Sequence, residues 1–291
     1  MDSVLEACYR EACRLDVEAF KPGNVSVYAE GHGMRVAHFL RSAEVSAPWL
    51  CRFDLSLGER IYRAMRATLD AVGCNTNLGI VLLAAPLLAA ASQSGDGNLR
   101  DSLRRVLTAT TREDAAWVYR AIREVEPGGL GRVAEGDVRE EPRMTLREAM
   151  ALAKNHDRVA FNYTFYYKDI YTLGIPRYHN GVYRWGDERW ATVLVFTALL
   201  RRIPDTHVER KFGKRFTEMI QAEMLRLESL LLETDTPEAL VPAIRAIDAR
   251  FKREGINPGT TADLTVTTLL AVRLEKWLSS AGSEAGRVSG T

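Results

Sequence analysis

The chain has 291 residues and a mass of 32.5 kDa, which is long for one domain and short for two. Hydrophobic residues make up 46% and charged residues 26%, an ordinary soluble composition that excludes disorder over most of the length. The 39 basic and 38 acidic side chains leave a net charge of +1. Charge therefore gives no reason to expect a nucleic acid or an anionic membrane as a partner.

The cysteines and the apolar segments indicate a cytoplasmic protein. The acidic, amphipathic start is not typical of a signal peptide. The longest apolar run, 78–91, is broken by Pro86 and is too short for a bilayer, which needs about 20 residues. No cysteine pair has the C-x-x-C spacing of a zinc site, so we expect reduced thiols at Cys8, Cys13, Cys51 and Cys74.

Helical periodicity predicts an all-α fold. Apolar residues recur at three- and four-residue steps over 4–20, and Lys21-Pro22-Gly23-Asn24 ends that helix because proline cannot continue it. The helix at 78–93 is apolar on every side and is predicted to lie buried at the centre. Further helices are predicted over 34–46, 57–72, 99–107, 111–124, 146–173, 189–201, 209–232, 237–253 and 261–278.

Turn residues predict the loops and the domain organisation. Loops are expected at 94–98, from Pro127 to about Pro142, and over 174–187, where glycines and Pro176 interrupt the pattern. Thr145-x-x-Glu148 is a capping box that starts a helix. No internal repeat or long linker divides the chain. We expect a single helical domain over 1–279, followed by a flexible Ser- and Gly-rich tail over 280–291.

Two early loops combine glycines with groups that suit an anion. In Lys21-Pro22-Gly23-Asn24 with Gly31-His32-Gly33, glycines allow a ligand close approach and a lysine reaches phosphate oxygens. Gly73-Cys74-Asn75-Thr76-Asn77 precedes a helix whose N-terminus favours an anion, with Asn75 or Thr76 as the cap. The alternatives are a plain helix end for the first loop and an ordinary cap for the second.

Two later loops place carboxylates at helix starts. In Pro204-Asp205-Thr206-His207-Val208-Glu209, the side chains of Asp205 and Glu209 share a helix face and could hold Mg²⁺. Here the alternative is a solvated helix start that Asp205 caps. In the segment 255–263, Asn-Pro-Gly-Thr-Thr is tight turn chemistry that leads to Asp263 in the first helical turn. A carboxylate there is favoured by the helix dipole in any protein, which is the alternative for that segment.

Taken in order, these segments resemble the triphosphoribosyl-dephospho-CoA synthase family over roughly residues 5–275. The family's K-P-G-[LN]-V and Gly-x-His loop correspond to Lys21–Val25 and Gly31-His32. Its G-x-N-T corresponds to Gly73–Thr76, and its D-T-[NH] to Asp205–His207. Its [NS]-P-G-[GT]-[ST]-A-D-L corresponds to Asn257–Leu264.

The motifs depart from the family at two places. The His-Lys that follows G-x-N-T is replaced by Asn77-Leu78, and the family's A-H-K-D-M is Gly31-His32-Gly33-Met34 here. Together with the irregular stretch from Pro127 to Pro142, these changes resemble a divergent branch found in methanogens and methylotrophs, where a one-carbon carrier pterin is built.

The resemblance implies a ribosyl transferase in which the ribose of ATP joins a hydroxyl of dephospho-CoA, adenine leaves, and the anomeric configuration inverts. Such a reaction needs a carboxylate that takes the hydroxyl proton, donors for the phosphates, and Mg²⁺. Asp205 and Asp263 are the candidate bases or metal ligands, with Glu209 as a further ligand. The expected substrate and phosphate contacts are Lys21, Gly23, Asn24, His32, Asn75, Thr76, Thr206, His207, Pro258, Gly259, Thr260 and Thr261.

Two alternatives stay open. In the one-carbon-pterin branch the donor is phosphoribosyl diphosphate and the acceptor a ribitol-like alcohol. The other alternative is a nucleotide-binding regulatory or assembly protein without catalysis, which the missing His-Lys favours and the two aspartates oppose. In each case the expected partners are small nucleotides, with a homodimer left open.

Overall fold

Helices form nearly all of the structure, a computed structural model that describes residues 2–94, 98–125 and 137–288, with side chains to residue 280. In these ranges no β-strand occurs, and two isolated bridges, Ser26–Ala29 and Gly31–Met34, tighten the loop after the first helix. The predicted all-α fold is confirmed. No helix in the described ranges is both long and apolar enough to cross a membrane.

The first half of the chain forms the helices α1 (Asp2–Glu18), α2 (Val36–Leu50), α3 (Leu57–Val72), α4 (Leu78–Ser92), α5 (Leu99–Thr108) and α6 (Arg112–Val125). The second half forms α7 (Leu146–Ala153), α8 (Arg158–Thr164), a π-helical turn (Ile170–Gly174), α9 (Ile175–Trp185), α10 (Glu188–Arg202), α11 (Thr206–Phe212), α12 (Thr217–Glu233), α13 (Val241–Arg253) and α14 (Gly259–Val288). Short 3₁₀ turns lie at Gly213–Phe216 and Pro237–Leu240.

Helix α4 lies at the centre, as its apolar sequence predicts. Every residue from Ile80 to Ala91 is buried, and the helix contacts α1, α2, α3, α5, α8 and α14. Burying a leucine side chain such as Leu83 or Leu87 stabilises the fold by about 1.5–3 kcal/mol. The helix has no polar face, so it forms only because other helices enclose it.

Two buried tyrosines complete the hydrogen bonding of α4. Pro86 has no N–H, so the carbonyl of Leu82 one turn earlier loses its helical donor. The Tyr163 hydroxyl donates to that carbonyl at 2.6 Å, and the Tyr167 hydroxyl donates to the Leu83 carbonyl at 2.7 Å. These two bonds fix α8 and the turn after it against the middle of α4.

A second apolar cluster packs beside the first and joins the end of α1 to α10, α12 and α13. Phe20, Phe196, Leu227 and Phe251 are almost fully buried in it. The cluster holds the loop after α1 near the start of α14, which brings the first and fourth of the motif-bearing segments together.

The predicted helix over 146–173 is wrong, because the chain turns twice inside it. Asp157 accepts a hydrogen bond from the Ala160 amide and caps α8, so a new helix begins there. Tyr166 and Tyr167 then adopt positive φ angles of 51° and 57°. The break predicted over 174–187 is also wrong, since α9 runs through it.

The glycines and the proline of α9 have structural roles in the helix, although they were the reason for predicting a break there. Pro176 lies in the first turn, where a missing N–H costs nothing. Gly181 lets α9 approach the backbone of Ala191 in α10 closely. Gly186 ends the helix in the left-handed conformation, with φ of 63°.

The later helices also differ in their bounds from the prediction. The helix predicted over 209–232 begins earlier, at Thr206, and is divided by the 3₁₀ turn at Gly213–Phe216. Helix α14 continues to Val288, ten residues beyond its predicted end, because the Ala-, Ser- and Glu-containing segment carries no proline that would stop it. The single-domain division stays a prediction, and the last three tail residues, residues 95–97 and most of the loop from Pro127 lie outside the described residues.

Candidate active site

A cavity of about 460 Å³ lies beside the start of α4. This volume is in the range of small-molecule sites. Its described walls come from the end of α1 and the loop after it, from α4, α6, α7, α8 and α11, and from the start of α14. Residues from all four motif-bearing segments line it, although these segments are far apart along the chain.

Two helix N-termini open onto the polar end of the cavity. Asn75, Thr76 and Gly79 line it at the start of α4, and Gly259 and Thr260 line it at the start of α14. The first amides of a helix lack intrahelical acceptors and carry the positive end of the helix dipole. The N-cap residue of α4 is Asn77, not Asn75 or Thr76 as predicted, and the Asn75 side chain accepts from the Leu78 amide at 3.1 Å from outside the helix.

Asp263 is the carboxylate in this cavity that has no partner among the described residues. It lies in the first turn of α14, and its side chain abuts Gly79 so closely that any Cβ at that position would overlap it. Burial raises the pKa of Asp263 well above its ordinary value, and the nearby charges of Asp205, Asp157 and Asp16 raise it further. The group is therefore a carboxylate held ready to accept a proton.

Asp205 joins the starts of two helices and lies behind the cavity wall. Its Oδ1 accepts from the amides of His207 and Val208, each at 3.0 Å, and so caps α11. Its Oδ2 accepts from the amide and the hydroxyl of Thr261 in α14, each at 2.8 Å. Burial raises the pKa of Asp205 although these hydrogen bonds oppose the shift.

His207, in the first turn of α11, lines the cavity. Burial lowers its pKa, an effect that the charge of Asp205 opposes and the charges of Arg210 and Lys211 reinforce. The imidazole is therefore neutral at pH 7 and can both donate and accept a hydrogen bond.

Charged groups in the described cavity walls are mainly acidic. Asp16 and Asp157 line the cavity with Asp263, and Arg210 is the one lysine or arginine in the described lining. Arg210 is itself paired with Asp157 at 2.6 Å. A polyphosphate entering this end therefore needs positive charge beyond that of the described side chains.

The far end of the cavity is apolar. Leu82 of α4, Val118 and Ile122 of α6, and Leu146 and Met150 of α7 line it. The cavity thus suits a ligand with a charged or polar head and an apolar body.

Of the predicted site residues, seven line the cavity: Asn24, Asn75, Thr76, His207, Gly259, Thr260 and Asp263. The others that were predicted lie outside the described lining and make supporting contacts: Lys21, Gly23, His32, Asp205, Thr206, Glu209, Pro258 and Thr261. Among these contacts, Lys21 is fully buried and pairs with Asp16 at 2.7 Å, and the His32 ring bonds the Gly23 carbonyl at 2.8 Å. The Thr206 and Thr260 hydroxyls are 3.0 Å apart.

The sequence motifs do not identify several of the residues that line the cavity. Asp16 lies one turn after Ala12 on the buried face of α1, and a charge on an apolar stripe was the available signal. Asp157 was hidden inside the long helix predicted over 146–173. Arg210 belongs to the segment for which a solvated helix start was the alternative, and it was not among the predicted site residues.

At the polar end of the cavity, the oxygen suited to Mg²⁺ does not belong to the predicted pair of ligands, Asp205 and Glu209. No group of three His, Cys, Asp or Glu side chains in the described residues is arranged to hold a metal ion. Asp205 is occupied by protein donors, and the Glu209 carboxylate accepts from the Thr217 hydroxyl at 2.8 Å. Mg²⁺, however, often needs only one or two carboxylates and substrate phosphates. The Asp16 carboxylate has one buried oxygen without a hydrogen-bond partner in the described structure.

Substitution of Gly79 tests the placement of Asp263. Alanine in a helix is normally more stable than glycine by up to about 1 kcal/mol. We expect Gly79→Ala instead to lower the thermal midpoint and reduce activity more than tenfold, because the new methyl displaces the carboxylate. In an Asp263→Ala background the same change should stabilise the protein. A Gly79→Ala variant that is more stable than wild type would contradict this geometry.

Comparisons with known proteins agree with this picture. A search of curated protein sequences found no significant match. The crystal structure of a protein from Archaeoglobus fulgidus, provisionally titled a triphosphoribosyl-dephospho-CoA synthase, shares the fold, with a TM-score of 0.61 and 23% sequence identity. The match covers 80% of this chain and 97% of that one. The sequence profile of CitG, described as ATP:dephospho-CoA triphosphoribosyl transferase, matches residues 2–282. The chain therefore belongs to the triphosphoribosyl-dephospho-CoA synthase family, and the prediction of an enzyme of this transferase type is confirmed.

Proposed function

We propose that the protein transfers a phosphorylated ribose from a nucleotide donor to a hydroxyl group of an acceptor. The observation that carries the proposal is the Asp263 carboxylate, which has no partner among the described residues and lies between two helix N-termini in the cavity. A base next to an anion-binding surface is what a ribosyl transfer to an alcohol requires.

In this mechanism Asp263 accepts the proton of the acceptor hydroxyl. The acceptor oxygen bonds to the anomeric carbon of the ribose as the bond from that carbon to adenine breaks. The proton that Asp263 receives balances the one that the leaving adenine takes up. Because its pKa is raised, Asp263 is a stronger base than an exposed aspartate.

The phosphates of the donor are assigned to the two helix N-termini. Asn75 and Thr76 at α4, and Gly259 and Thr260 at α14, line the cavity where anions are favoured. His207, neutral at pH 7, supplies a further hydrogen bond. Asp205 acts as a positioning residue, since it joins His207 to the helix that carries Asp263.

Asp16 is the candidate ligand that would hold Mg²⁺ in the proposed site. When bound, Mg²⁺ would neutralise phosphate charge that Arg210 alone does not balance. Asp263 then remains free to act as the base, so base and metal ligand are different residues in the proposal.

Family membership favours ATP as the donor and dephospho-CoA as the acceptor. The test is incubation of the protein with both compounds and Mg²⁺, with chromatography for free adenine and mass spectrometry for the triphosphoribosyl product. Release of adenine that depends on the acceptor supports the proposal. Binding of nucleotide without turnover of any ribosyl donor would indicate a non-catalytic nucleotide-binding protein.

The apolar end of the cavity favours a second candidate. Leu82, Ile122 and Met150 offer nothing to the charged groups of dephospho-CoA. In the one-carbon-pterin alternative the donor is phosphoribosyl diphosphate and the acceptor a ribitol-like alcohol, which would fit this end better if it carries an apolar group. Diphosphate release in place of adenine release distinguishes this reaction.

A further inference from the structure

Three buried side-chain oxygens of residues that line the cavity have no hydrogen-bond partner in the described structure. They are Oδ1 of Asp16 at the end of α1, Oδ1 of Asn24 in the next loop, and Oδ1 of Asn77 at the start of α4. Their residues are 6%, 5% and 4% exposed, so bulk solvent does not compensate them. Leaving such groups unpaired costs about 1–3 kcal/mol each.

Protein contacts hold the other polar atom of each side chain. Asp16 Oδ2 accepts from the Lys21 ammonium at 2.7 Å. Asn24 Nδ2 donates to Asn257 Oδ1 at 2.9 Å and to the Pro258 carbonyl, which fixes its amide orientation. Asn77 Nδ2 donates to the Ser46 hydroxyl at 3.5 Å. The three Oδ1 atoms are thus left as acceptors by the way the side chains are anchored.

We propose that Asp16, Asn24 and Asn77 form a divalent-cation subsite at the polar end of the cavity. Carboxylate and amide oxygens are the ligands that Mg²⁺ prefers. A single water donates only two hydrogen bonds and would leave at least one of the three oxygens without a partner, whereas a divalent cation would accept all three as ligands. Lys21 neutralises part of the Asp16 charge, so the subsite holds the cation weakly until phosphate oxygens complete its coordination.

The inference rests on the proposed function only for the role of the cation, because binding is measured without substrates. Mn²⁺ is the probe, and the loss of its free electron paramagnetic resonance signal gives the dissociation constant. We expect the wild-type protein to bind Mn²⁺ in the millimolar range or tighter. Asn77→Asp should bind it at least tenfold more tightly, since it adds a charge to the subsite, and Asn77→Ala severalfold more weakly.

The matched control is Glu209→Gln. The motif spacing predicts Glu209 as a metal ligand, but its carboxylate accepts a hydrogen bond from the Thr217 hydroxyl. This variant should bind Mn²⁺ as the wild type does. The new carboxylate in Asn77→Asp should lower the thermal midpoint without metal, and Mn²⁺ should restore it. The opposite signs of Asn77→Asp and Asn77→Ala separate a ligand from a purely structural residue.

Failure of this inference is distinct from failure of the proposed function. No Mn²⁺ binding in the wild type, or equal affinity in both Asn77 variants, overturns the subsite even if adenine or diphosphate is released. Binding that follows the predicted order without release of either product leaves the subsite standing and overturns the transferase proposal.

Discussion

We expect Asp263→Asn to remove most of the transferase activity while making the protein more stable at neutral pH. An amide cannot accept the hydroxyl proton, and general-base catalysis contributes about 10²–10⁴-fold to a rate. The same change removes a negative charge that desolvation and the nearby aspartates disfavour, which should add about 1–3 kcal/mol to the free energy of unfolding. Activity assays and thermal unfolding measure the two effects separately.

The pH dependence follows from the raised pKa of Asp263. A carboxyl group whose pKa is higher in the folded state stabilises folding less as the pH rises above its unfolded value, about 3.9. The stability gain of Asp263→Asn should therefore be present at pH 7 and vanish below about pH 3, where the wild-type group is neutral in both states. Wild-type activity should rise with pH as this group loses its proton.

Asp114 offers the matched control for Asp263. It is buried, whereas Asp263 is only half-buried in the cavity wall, and the two oxygens of Asp114 accept from the amides of Gly58 and Thr111 at 2.7 and 2.8 Å. Asp114→Asn should therefore lower stability where Asp263→Asn raises it. If Asp263→Asn is as destabilising as Asp114→Asn, the Asp263 carboxylate has a structural partner and is not held free for catalysis.

The sequence predicts correctly the helices whose bounds are set by residues within them or next to them. The span of α3 matches its predicted bounds, and the Thr145–Glu148 capping box begins α7 as expected. The long helix over 146–173 failed because its interruption is tertiary. Tyr163 and Tyr167 bond to carbonyls of α4, more than 80 residues away in the chain. No property of the segment itself reports these bonds.

The candidate site was predictable to the level of its loops, since motif residues from all four segments line one cavity. The roles of the individual residues could not be predicted from the sequence. The spacing of Asp205 and Glu209 suggested a shared ligand face, but it does not reveal that Thr261 and Thr217 already occupy them. Asp16 lies on the buried face of α1, and the periodicity of that helix shows only that a charged residue occupies an apolar face.

Asp205→Asn should destabilise the protein strongly, although asparagine replaces aspartate at many helix caps without cost. Four donors meet the two oxygens of Asp205, two from α11 and two from Thr261. An asparagine has one acceptor oxygen, so its amide group must face two donors. Hydrogen bonds to a carboxylate contribute about 1.5–3 kcal/mol each, and we expect a loss of about 3 kcal/mol or more in the free energy of unfolding.

Denaturant unfolding of Asp205→Asn, beside activity per folded molecule, decides among three roles for this residue. Asp187→Asn is the control, because Asp187 caps α10 through the Arg189 amide and its ion pair with Arg189 is partly exposed. It should change stability by less than about 1 kcal/mol. A stable but inactive Asp205→Asn variant would make Asp205 a catalytic residue, as its motif suggests. A stable and active one would make it a simple cap. A large loss of stability, with residual activity above that of Asp263→Asn, is the result expected of a residue that joins α11 to α14 and so positions the base.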